Sequence, residues 1–300
     1  MTDTIQSDPF SDVLTDEHRT AYDERGYLAL NSFVDLSCLE RLRDATARWV
    51  QESRNQTKSD GRIDVEPGHT AEQPRLRRLI SPVDLDPVFR EFALAGPAAQ
   101  LAVALLGRPA RYHHSKLNYK WSDGGAAIDW HQDIQYWPHS DFTPLTIGVY
   151  LEDVDDEMGP MGIVPGSHRG ELFDLYGANG RWTGSISEAD LARVDLASID
   201  YLAGPAGTTT VHNCGVVHGS LPNRSPRPRP LLLQTYSAAS SYPLLGVGTN
   251  GRTGGLSGTL VGGEAPRWIS IGGRSMPAAP DWSRGGYTTI FAAQSGAAMQ

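Results

Sequence analysis

Short apolar runs separated by turn residues fill the middle of this chain and constrain its fold more than any other feature. Glycine, proline and asparagine residues stand between these runs, which cover residues 111–119, 128–137, 145–151, 207–212 and 231–236. Strands of this length and density, each bounded by turn residues, are typical of a barrel or a double-sheet jelly roll. We therefore predict a mainly β core over about residues 110–240.

The N-terminal third has the periodicity of helices instead. Residues 18–25 follow a helix-start signal and stop at a glycine, residues 35–52 carry apolar side chains at three- and four-residue spacing, and residues 87–106 end at a Gly-Arg-Pro stop. Helices that precede such a core pack on one face of a sheet. We therefore predict a mainly β fold with flanking α-helices, in which helices within about residues 14–107 cover one sheet.

The two ends of the chain have less pattern. Residues 1–13 are expected to be a flexible tail, and residues 14–300 a single domain whose last part, 240–300, is rich in loops. Residues 240–275 contain many Gly, Ser and Thr residues. They are interpreted either as a surface loop or as a mobile cover over a substrate pocket.

The composition excludes several classes of function. A net charge of -9 argues against a nucleic-acid groove, which needs a basic surface. With only two cysteines in 300 residues, a scaffold stabilised by disulfides is not expected, and the composition favours a reducing cytoplasm. The N-terminus is polar and acidic without a signal-peptide pattern, and no apolar run is expected to span a membrane. The sequence makes no prediction about the oligomeric state.

A His-x-Asp pair, His131 and Asp133, lies within a run of aromatic residues. In a β-strand, side chains two residues apart share a face, so this imidazole and carboxylate point the same way, and Asp129 shares that face. A second histidine from elsewhere completes the 2-His-1-carboxylate geometry of non-haem Fe(II) oxygenases. The pattern leaves two candidates for it, His212 and His218.

A buried cation is the second requirement of many such oxygenases. If the reductant is 2-oxoglutarate, its far carboxylate needs a fixed partner, and the planar fork of arginine suits a carboxylate. Arg229 precedes Pro230, so its backbone is biased toward an extended conformation. Arg227 stands two residues before it and is expected to share its face in an extended segment, so a swap between the two arginines stays open.

Taken together, these motifs resemble the phytanoyl-CoA dioxygenase family. The resemblance rests on His131-Gln132-Asp133, a distant His218-Gly219-Ser220 and an arginine eleven residues further on. Other short matches in the same order bring the coverage to most of residues 14–236. They are Gly26-Tyr27-Leu28, Lys120 eleven residues before His131, residues 149–154, Gly159-Pro160 and Pro165-Gly166-Ser167-His168.

The resemblance implies a cupin-like double-stranded β-helix that uses Fe(II), 2-oxoglutarate and O2. It implies that His131, Asp133 and His218 bind iron. It also implies that Arg229 binds the 5-carboxylate of 2-oxoglutarate, that Ser220 and Lys120 assist at its carboxylates, and that Gln132 lies near it. Members that halogenate replace the motif's carboxylate, so the presence of Asp133 implies a hydroxylase or a related oxidase.

The expected reaction is oxidation, most simply hydroxylation, of an unactivated C–H bond in a small-molecule metabolite, with release of succinate and CO2. The acidic chain and its Trp-rich motif favour a small, partly apolar substrate over a CoA ester. Two alternatives are a metal-dependent isomerase that needs no 2-oxoglutarate and a catalytically silent small-molecule-binding protein on the same fold.

Other side chains have weaker predictions. The residues considered for a substrate pocket, with core packing as the alternative, are Trp121, Gln135, Trp137, Tyr242 and Trp268. Lys116 is expected to be a solvated surface residue. At most one of the adjacent residues His113 and His114 is expected to face inward.

Overall fold

The structure is a computed structural model that describes residues 13–122, 125–245, 254–278 and 289–295. The predicted tail, residues 1–13, lies outside the described residues except for Val13. The helices of the described ranges, numbered in chain order, are α1 Asp16–Arg25, α2 Leu36–Glu52, α3 Pro82–Leu85, α4 Pro87–Leu94, α5 Pro97–Leu106, α6 Glu188–Leu191 and α7 Ile290–Gln294.

The strands carry the rest of the regular structure. They are β1 Tyr27–Leu30, β2 Ile63–Val65, β3 Leu76–Ile80, β4 Ala110–Lys120, β5 Ile128–His131, β6 Leu145–Tyr150, β7 Met161–Ile163, β8 Asp200–Leu202, β9 Thr209–Asn213, β10 His218–Ser220, β11 Arg229–Ala238, β12 Leu260–Val261, β13 Trp268–Ile271 and β14 Arg274–Pro277.

These strands form two main antiparallel sheets. The major sheet has the order β1-β9-β6-β11-β4-β3-β2, with β12 added to β4, and the minor sheet has the order β5-β10-β7-β8. Several neighbouring strands in each sheet are not consecutive in the chain, as in β11 between β4 and β6 and β10 between β5 and β7. A double sheet with such crossovers is the predicted jelly roll, and this prediction is confirmed.

The N-terminal helices cover one face of the major sheet. Helix α2 is capped by Asp35, whose side chain accepts a hydrogen bond from the Cys38 amide, and it buries Leu39, Leu42 and Ala45 at the predicted spacing. These residues join one apolar cluster with α4, α5 and the outward face of β4 and β11. Full burial of each leucine stabilises the fold by about 1.5–3 kcal/mol. The helix-backed sheet is therefore the rigid wall of the molecule.

The predicted helix over 87–106 is two helices in the structure. The chain leaves the helical conformation at Ala95 and Gly96, because Pro97 has no amide hydrogen for a continuous helix and instead starts α5. The stretch Pro87–Leu106 is also long and apolar enough to span a membrane by length and composition, which the sequence analysis did not expect. Half of its most apolar window is buried inside the protein, as in the core helices of many proteins.

Candidate active site

The His-x-Asp motif lies at the end of a short strand of the minor sheet. Strand β5 stops at His131, and Asp133 begins a 3₁₀ turn, Asp133–Gln135, so the predicted strand over 128–137 is shorter than expected. Gln132 is still extended, with φ -124° and ψ 127°. The alternation therefore continues for one more residue and places His131 and Asp133 on the same side.

Strand register brings His218 to this pair. Strands β5 and β10 are antiparallel neighbours in which His218 lies directly opposite His131, and the two ring centroids are 4.2 Å apart. The register shifts after this pair. Gly219 fits there because a Cβ at this position would lie 2.8 Å from the Ile128 carbonyl oxygen. The His-Gly-Ser motif therefore owes its glycine to a close approach between two strands.

Three side chains converge on a common point. The potential ligand atoms of His131, Asp133 and His218 all lie within 4.8 Å of one another. Oδ1 of Asp133 is 3.6 Å from Nε2 of His131 and 3.8 Å from Nε2 of His218. The Nδ1 atoms of these histidines donate to backbone carbonyls, of Asp129 at 2.8 Å and Val216 at 3.0 Å. These bonds fix the tautomer that leaves both Nε2 lone pairs free for a metal.

The other carboxylate oxygen of Asp133 is held by the major sheet. Nε2 of His212 on β9 lies 3.3 Å from Oδ2, and the Thr146 hydroxyl on β6 lies 3.4 Å from it. Burial raises the pKa of Asp133, but its contacts with His218, His131 and His212 outweigh burial and hold this pKa well below the usual range. His212, the fallback ligand of the sequence analysis, thus orients Asp133 and stands outside the cluster of ligand atoms.

Asp129 and Gln132, the two polar neighbours of His131, make structural contacts and do not belong to the cluster of ligand atoms. Asp129 is exposed and acts on His131 through its backbone carbonyl rather than its carboxylate. Gln132 is fully buried, where its amide donates to the carbonyls of Gly215 and Glu171 and accepts from the amide of Phe173. Gln132 does not line the cavity described below. This placement speaks against the expected proximity of Gln132 to 2-oxoglutarate, because all its polar atoms serve the backbone.

Arg229 is buried at the first position of β11. Its side chain is 4% exposed, lines the cavity, and has no hydrogen-bond partner for Nε and Nη1 within the described ranges. Burial lowers the pKa of this guanidinium. A buried, unpartnered guanidinium is unfavourable until an anion reaches it. Arg227 lies before the strand and forms an exposed ion pair with Asp155 at 2.8 Å, so the expectation that it shares the face of Arg229 is wrong.

Lys120 stands directly opposite Arg229 in the register of β4 and β11. Its ammonium donates to the Ser220 hydroxyl at 2.7 Å and to the Leu221 carbonyl. Burial, followed by the charge of Arg229, lowers the pKa of Lys120 to about 7. Because Ser220 Oγ accepts from Lys120, its own hydroxyl hydrogen is free to point at a ligand. Arg229, Lys120 and Ser220 form what we call the cation clamp.

A cavity of about 860 Å³ lies between the two sheets and is lined by His131, Asp133, His218, Ser220 and Arg229, whereas Lys120 lies behind Ser220 and outside the lining. Its volume is within the range of small-molecule sites. Gln135 and Trp137 line it, as expected, and Gln135 also donates to the Phe173 carbonyl. Trp121 does not line it, because its ring stacks on Tyr119 and its Nε1 donates to the Leu76 carbonyl. Tyr242 and Trp268 are likewise absent from the lining.

The sequence analysis missed a polar stripe along β4. The register of β4 against β11 shifts between Tyr112 and His114, so His113 is an extra residue in a β-bulge. The bulge lets both adjacent histidines face the cavity, with their Nδ1 atoms 2.7 Å apart, which corrects the expectation that only one does. Burial lowers the pKa of His113 to about 4. Lys116, expected on the surface, also lines the cavity.

Aromatic side chains surround the cavity mouth and were not predicted as a group. Tyr136 packs edge-on against the ring of Trp182, at 5.3 Å between centroids, and Trp182 against Tyr176 at 5.1 Å. All three are partly exposed and line the cavity. The Tyr136 hydroxyl donates to the Gly184 carbonyl at 2.7 Å, which fixes this aromatic lip to its loop.

The Gly-rich segment 240–275 contains residues that line the cavity and residues that are attached to the body of the fold. Pro243 and Leu245 line the cavity, and residues 246–253 lie outside the described residues. Residues 254–261 are attached to the body of the fold: the Leu256 amide donates to Asp84, and β12 pairs with β4. These attachments speak against a mobile cover over residues 254–261, and the interpretation stays a prediction for the rest of residues 240–275.

The residues present fit an iron ion and a dicarboxylate. Two neutral imidazole nitrogens and one carboxylate oxygen form the donor set typical of non-haem Fe(II). Burial, followed by the neighbouring His131 and His212, holds the pKa of His218 well below the usual range, so it is neutral as a ligand must be. The planar guanidinium of Arg229, whose Nε and Nη1 have no partner within the described ranges, suits a carboxylate.

Comparison with known proteins agrees with this geometry. Residues 22–231 match the family model of phytanoyl-CoA dioxygenase. A probable alpha-ketoglutarate-dependent hypophosphite dioxygenase of Stutzerimonas stutzeri is 36% identical over 171 residues, which span 55% of this chain and 58% of that protein. L-proline trans-4-hydroxylase of Streptomyces griseoviridis is 29% identical over 244 residues, 75% of this chain and 87% of the hydroxylase.

Solved structures show the same fold. EctD from S. alaskensis with bound Fe is 25% identical, with a TM-score of 0.63 over 76% of this chain and 78% of that one. A second EctD structure, with 2-oxoglutarate and 5-hydroxyectoine, has a TM-score of 0.67 over 87% of this chain and 88% of that one, at 24% identity. The chain therefore belongs to the phytanoyl-CoA dioxygenase family, and it is a non-haem dioxygenase that depends on Fe(II) and 2-oxoglutarate.

Proposed function

We propose that this protein oxidises, most simply hydroxylates, an unactivated C–H bond of a small-molecule metabolite and releases succinate and CO2. The observation that carries the proposal is the convergence of His131, Asp133 and His218 in the same cavity as the unpartnered guanidinium of Arg229. A metal site alone serves many reactions. A metal site in the same cavity as a buried cation that can bind a carboxylate indicates a reaction with a dicarboxylate co-substrate.

In this proposal His131, Asp133 and His218 hold Fe(II). Iron, 2-oxoglutarate and O2 together supply an oxidant strong enough to break an unactivated C–H bond. The protein orients the reactants and excludes water. His212 and Thr146 hold Oδ2 of Asp133, so Oδ1 stays directed at the metal.

The cation clamp binds the 5-carboxylate of 2-oxoglutarate. One edge of the planar Arg229 guanidinium donates to its two oxygens, and the Ser220 hydroxyl, positioned by Lys120, donates a further hydrogen bond. All ten residues of β11 are buried, so bulk water does not compete at this end. The approach of a carboxylate raises the pKa of Lys120 from about 7 and keeps it charged.

The substrate is a small metabolite that enters past the aromatic lip. The relatives named above act on compounds of this size, hypophosphite and L-proline. We place the reaction in the cytoplasm, because Cys38 and Cys214 are both free.

A succinate assay tests the proposal. We expect the purified protein, supplied with Fe(II), ascorbate and 2-oxoglutarate, to form succinate slowly alone and faster with its substrate. A chelator should abolish the signal, and one succinate should form per oxidised substrate in the coupled reaction. Oxidised or isomerised product without consumption of 2-oxoglutarate would favour the metal-dependent isomerase instead. Binding of metabolites with no turnover of 2-oxoglutarate would favour a silent binding protein.

A further inference from the structure

Lys116 places a positive charge inside the cavity at a different level from the cation clamp. It lies on β4 between Ile80 of β3 and Leu233 of β11, and its side chain lines the cavity. Lys120 is four residues further along the same strand, so the two Cα atoms are roughly 13 Å apart. At this distance Lys116 is not part of the cation clamp.

Among the described residues, the ammonium of Lys116 has an aromatic neighbour but no ion-pair partner. Nζ lies 5.2 Å from the ring centroid of Trp137. Within the described ranges, no hydrogen-bond acceptor or carboxylate pairs with it. Burial lowers its pKa, while the charge of Asp133 acts in the opposite direction. A partly desolvated ammonium without an anionic partner is unfavourable in the free protein and marks a place where a ligand binds.

A second cation stands on the same wall. Arg78 on β3 lies opposite Asn118 of β4, and its Nε donates to the Asn118 side-chain oxygen at 3.0 Å. Arg78 also lines the cavity, and its charge acts to lower the pKa of Lys116. Two neighbouring strands of the major sheet therefore present positive charge to the same space.

Within the described ranges, the carboxylates that line the cavity do not balance the charge of Lys116. Among the described lining residues, the carboxylates are Asp129 and Asp133. Asp133 is assigned to iron, and Asp129 is exposed on β5 of the minor sheet. The two carboxylates of 2-oxoglutarate are offset by iron and by the cation clamp. Lys116 is left for whatever else enters the cavity.

We propose that the substrate is a small organic anion whose acid group is bound by Lys116, and that Lys116 thereby selects acids over neutral molecules of the same shape. This inference rests on the proposed function and names the substrate class for that site. The Trp137 ring holds the ammonium in place, and Arg78 strengthens the positive field around it. The aromatic lip then contacts the apolar body of the substrate.

Matched pairs of acids and amides test the inference. The probes are L-proline with L-prolinamide, phenylacetate with phenylacetamide, and hexanoate with hexanamide. Binding of each to the full chain loaded with Fe(II) and 2-oxoglutarate is measured under nitrogen by calorimetry, and stimulation of succinate formation is measured in air. We expect the acid of a pair to bind at least about tenfold more tightly than its amide, since one charge-assisted contact separates them.

Variants of the lysine identify the group responsible. Lys116→Met keeps the length of the side chain without its charge, and it should weaken binding of the acid by about tenfold to a hundredfold while the KM for 2-oxoglutarate stays within about twofold. Lys116→Arg should restore most of the preference. Lys58→Met removes the same charge from an exposed loop and should behave as the wild type.

The outcomes separate this inference from the function beneath it. Amides that bind as tightly as acids, or no binding of any acid, overturn it. A Lys116→Met variant that raises the KM for 2-oxoglutarate and leaves the acid unaffected also overturns it, since Lys116 then serves the co-substrate. If the protein forms no succinate under any condition, the proposed function itself is wrong. If it forms succinate but prefers amides, only the inference that the substrate is an anion is wrong.

Discussion

The two sheets that enclose the cavity supply different chemistry and are built differently. The minor sheet presents His131 and His218 from short strands, and the four residues of β5 are all exposed or half-buried. The major sheet presents Arg229 and Lys120 from long strands, and all ten residues of β11 are buried. The first sheet borders the aromatic lip, and the second is backed by the N-terminal helices.

This difference teaches how the site divides its tasks. Iron must meet a substrate that arrives from solvent, and one of its ligands, the half-buried His131, stands on the edge strand β5. The 2-oxoglutarate carboxylate needs strong, directed charge, and burial against a helix-backed sheet strengthens every hydrogen bond there. The two sheets meet at Asp133, where His212 and Thr146 of the major sheet hold the carboxylate that the minor sheet aims at iron.

The largest expected effect comes from the minor sheet. His218→Ala removes one of three ligands, so we expect no Fe(II) binding by calorimetry at concentrations that saturate the wild type, and succinate formation at the level of the protein-free control. His212→Gln, which loses only the contact with Oδ2 of Asp133, should weaken metal binding by about tenfold to a hundredfold. Equal losses in the two variants would contradict the assignment of His212 as an orienting residue.

The metal motif could be predicted from the sequence because its parts are local. A His-x-Asp pair needs only one extended residue between its members to face one way, and Gln132 supplies it even though the strand ends early. The same alternation shows why two other expectations were misplaced. Gln132 lies between two residues that share a face, so it faces the opposite side, and Trp121 shares the face of Leu117 and Tyr119, which pack in the core.

The polar stripe of the major sheet carried a weaker signal. Positions 114, 116, 118 and 120 are all polar, while Leu117 and Tyr119 between them are apolar, a pattern typical of a strand with one face on a core and one on a cavity. The position of His113 had no such signal, because a β-bulge depends on how two distant strands pair. The same holds for Arg227, whose pairing with Asp155 depends on a loop 72 residues away.

The second largest effect should separate Arg229, the first residue of β11, from Arg227, which lies before this strand. Arg229→Ala removes a buried, charge-assisted contact with a carboxylate, which costs about 2–5 kcal/mol. We expect the KM for 2-oxoglutarate to rise by about thirtyfold or more, with iron binding retained. Arg227→Ala breaks an exposed ion pair, which is worth at most about 1 kcal/mol, and should leave this KM unchanged. If Arg227→Ala raises this KM and Arg229→Ala does not, Arg227 is the residue that binds the carboxylate of 2-oxoglutarate.

The smallest effect concerns the pH dependence of the clamp. Burial and Arg229 lower the pKa of Lys120 to about 7, so in the free enzyme its charge is present below this pH and is lost as the pH rises through it. Both carboxylates of 2-oxoglutarate stay ionised across this window, and the charged form of Lys120 binds them better. The KM for 2-oxoglutarate should therefore increase from pH 6 to pH 8, by up to about tenfold for a shift of one pKa unit on binding. Lys120→Met, which has no such proton to lose, should show a higher KM that is flat over the same range. A wild-type KM that falls as the pH rises would mean that the neutral amine is the binding form.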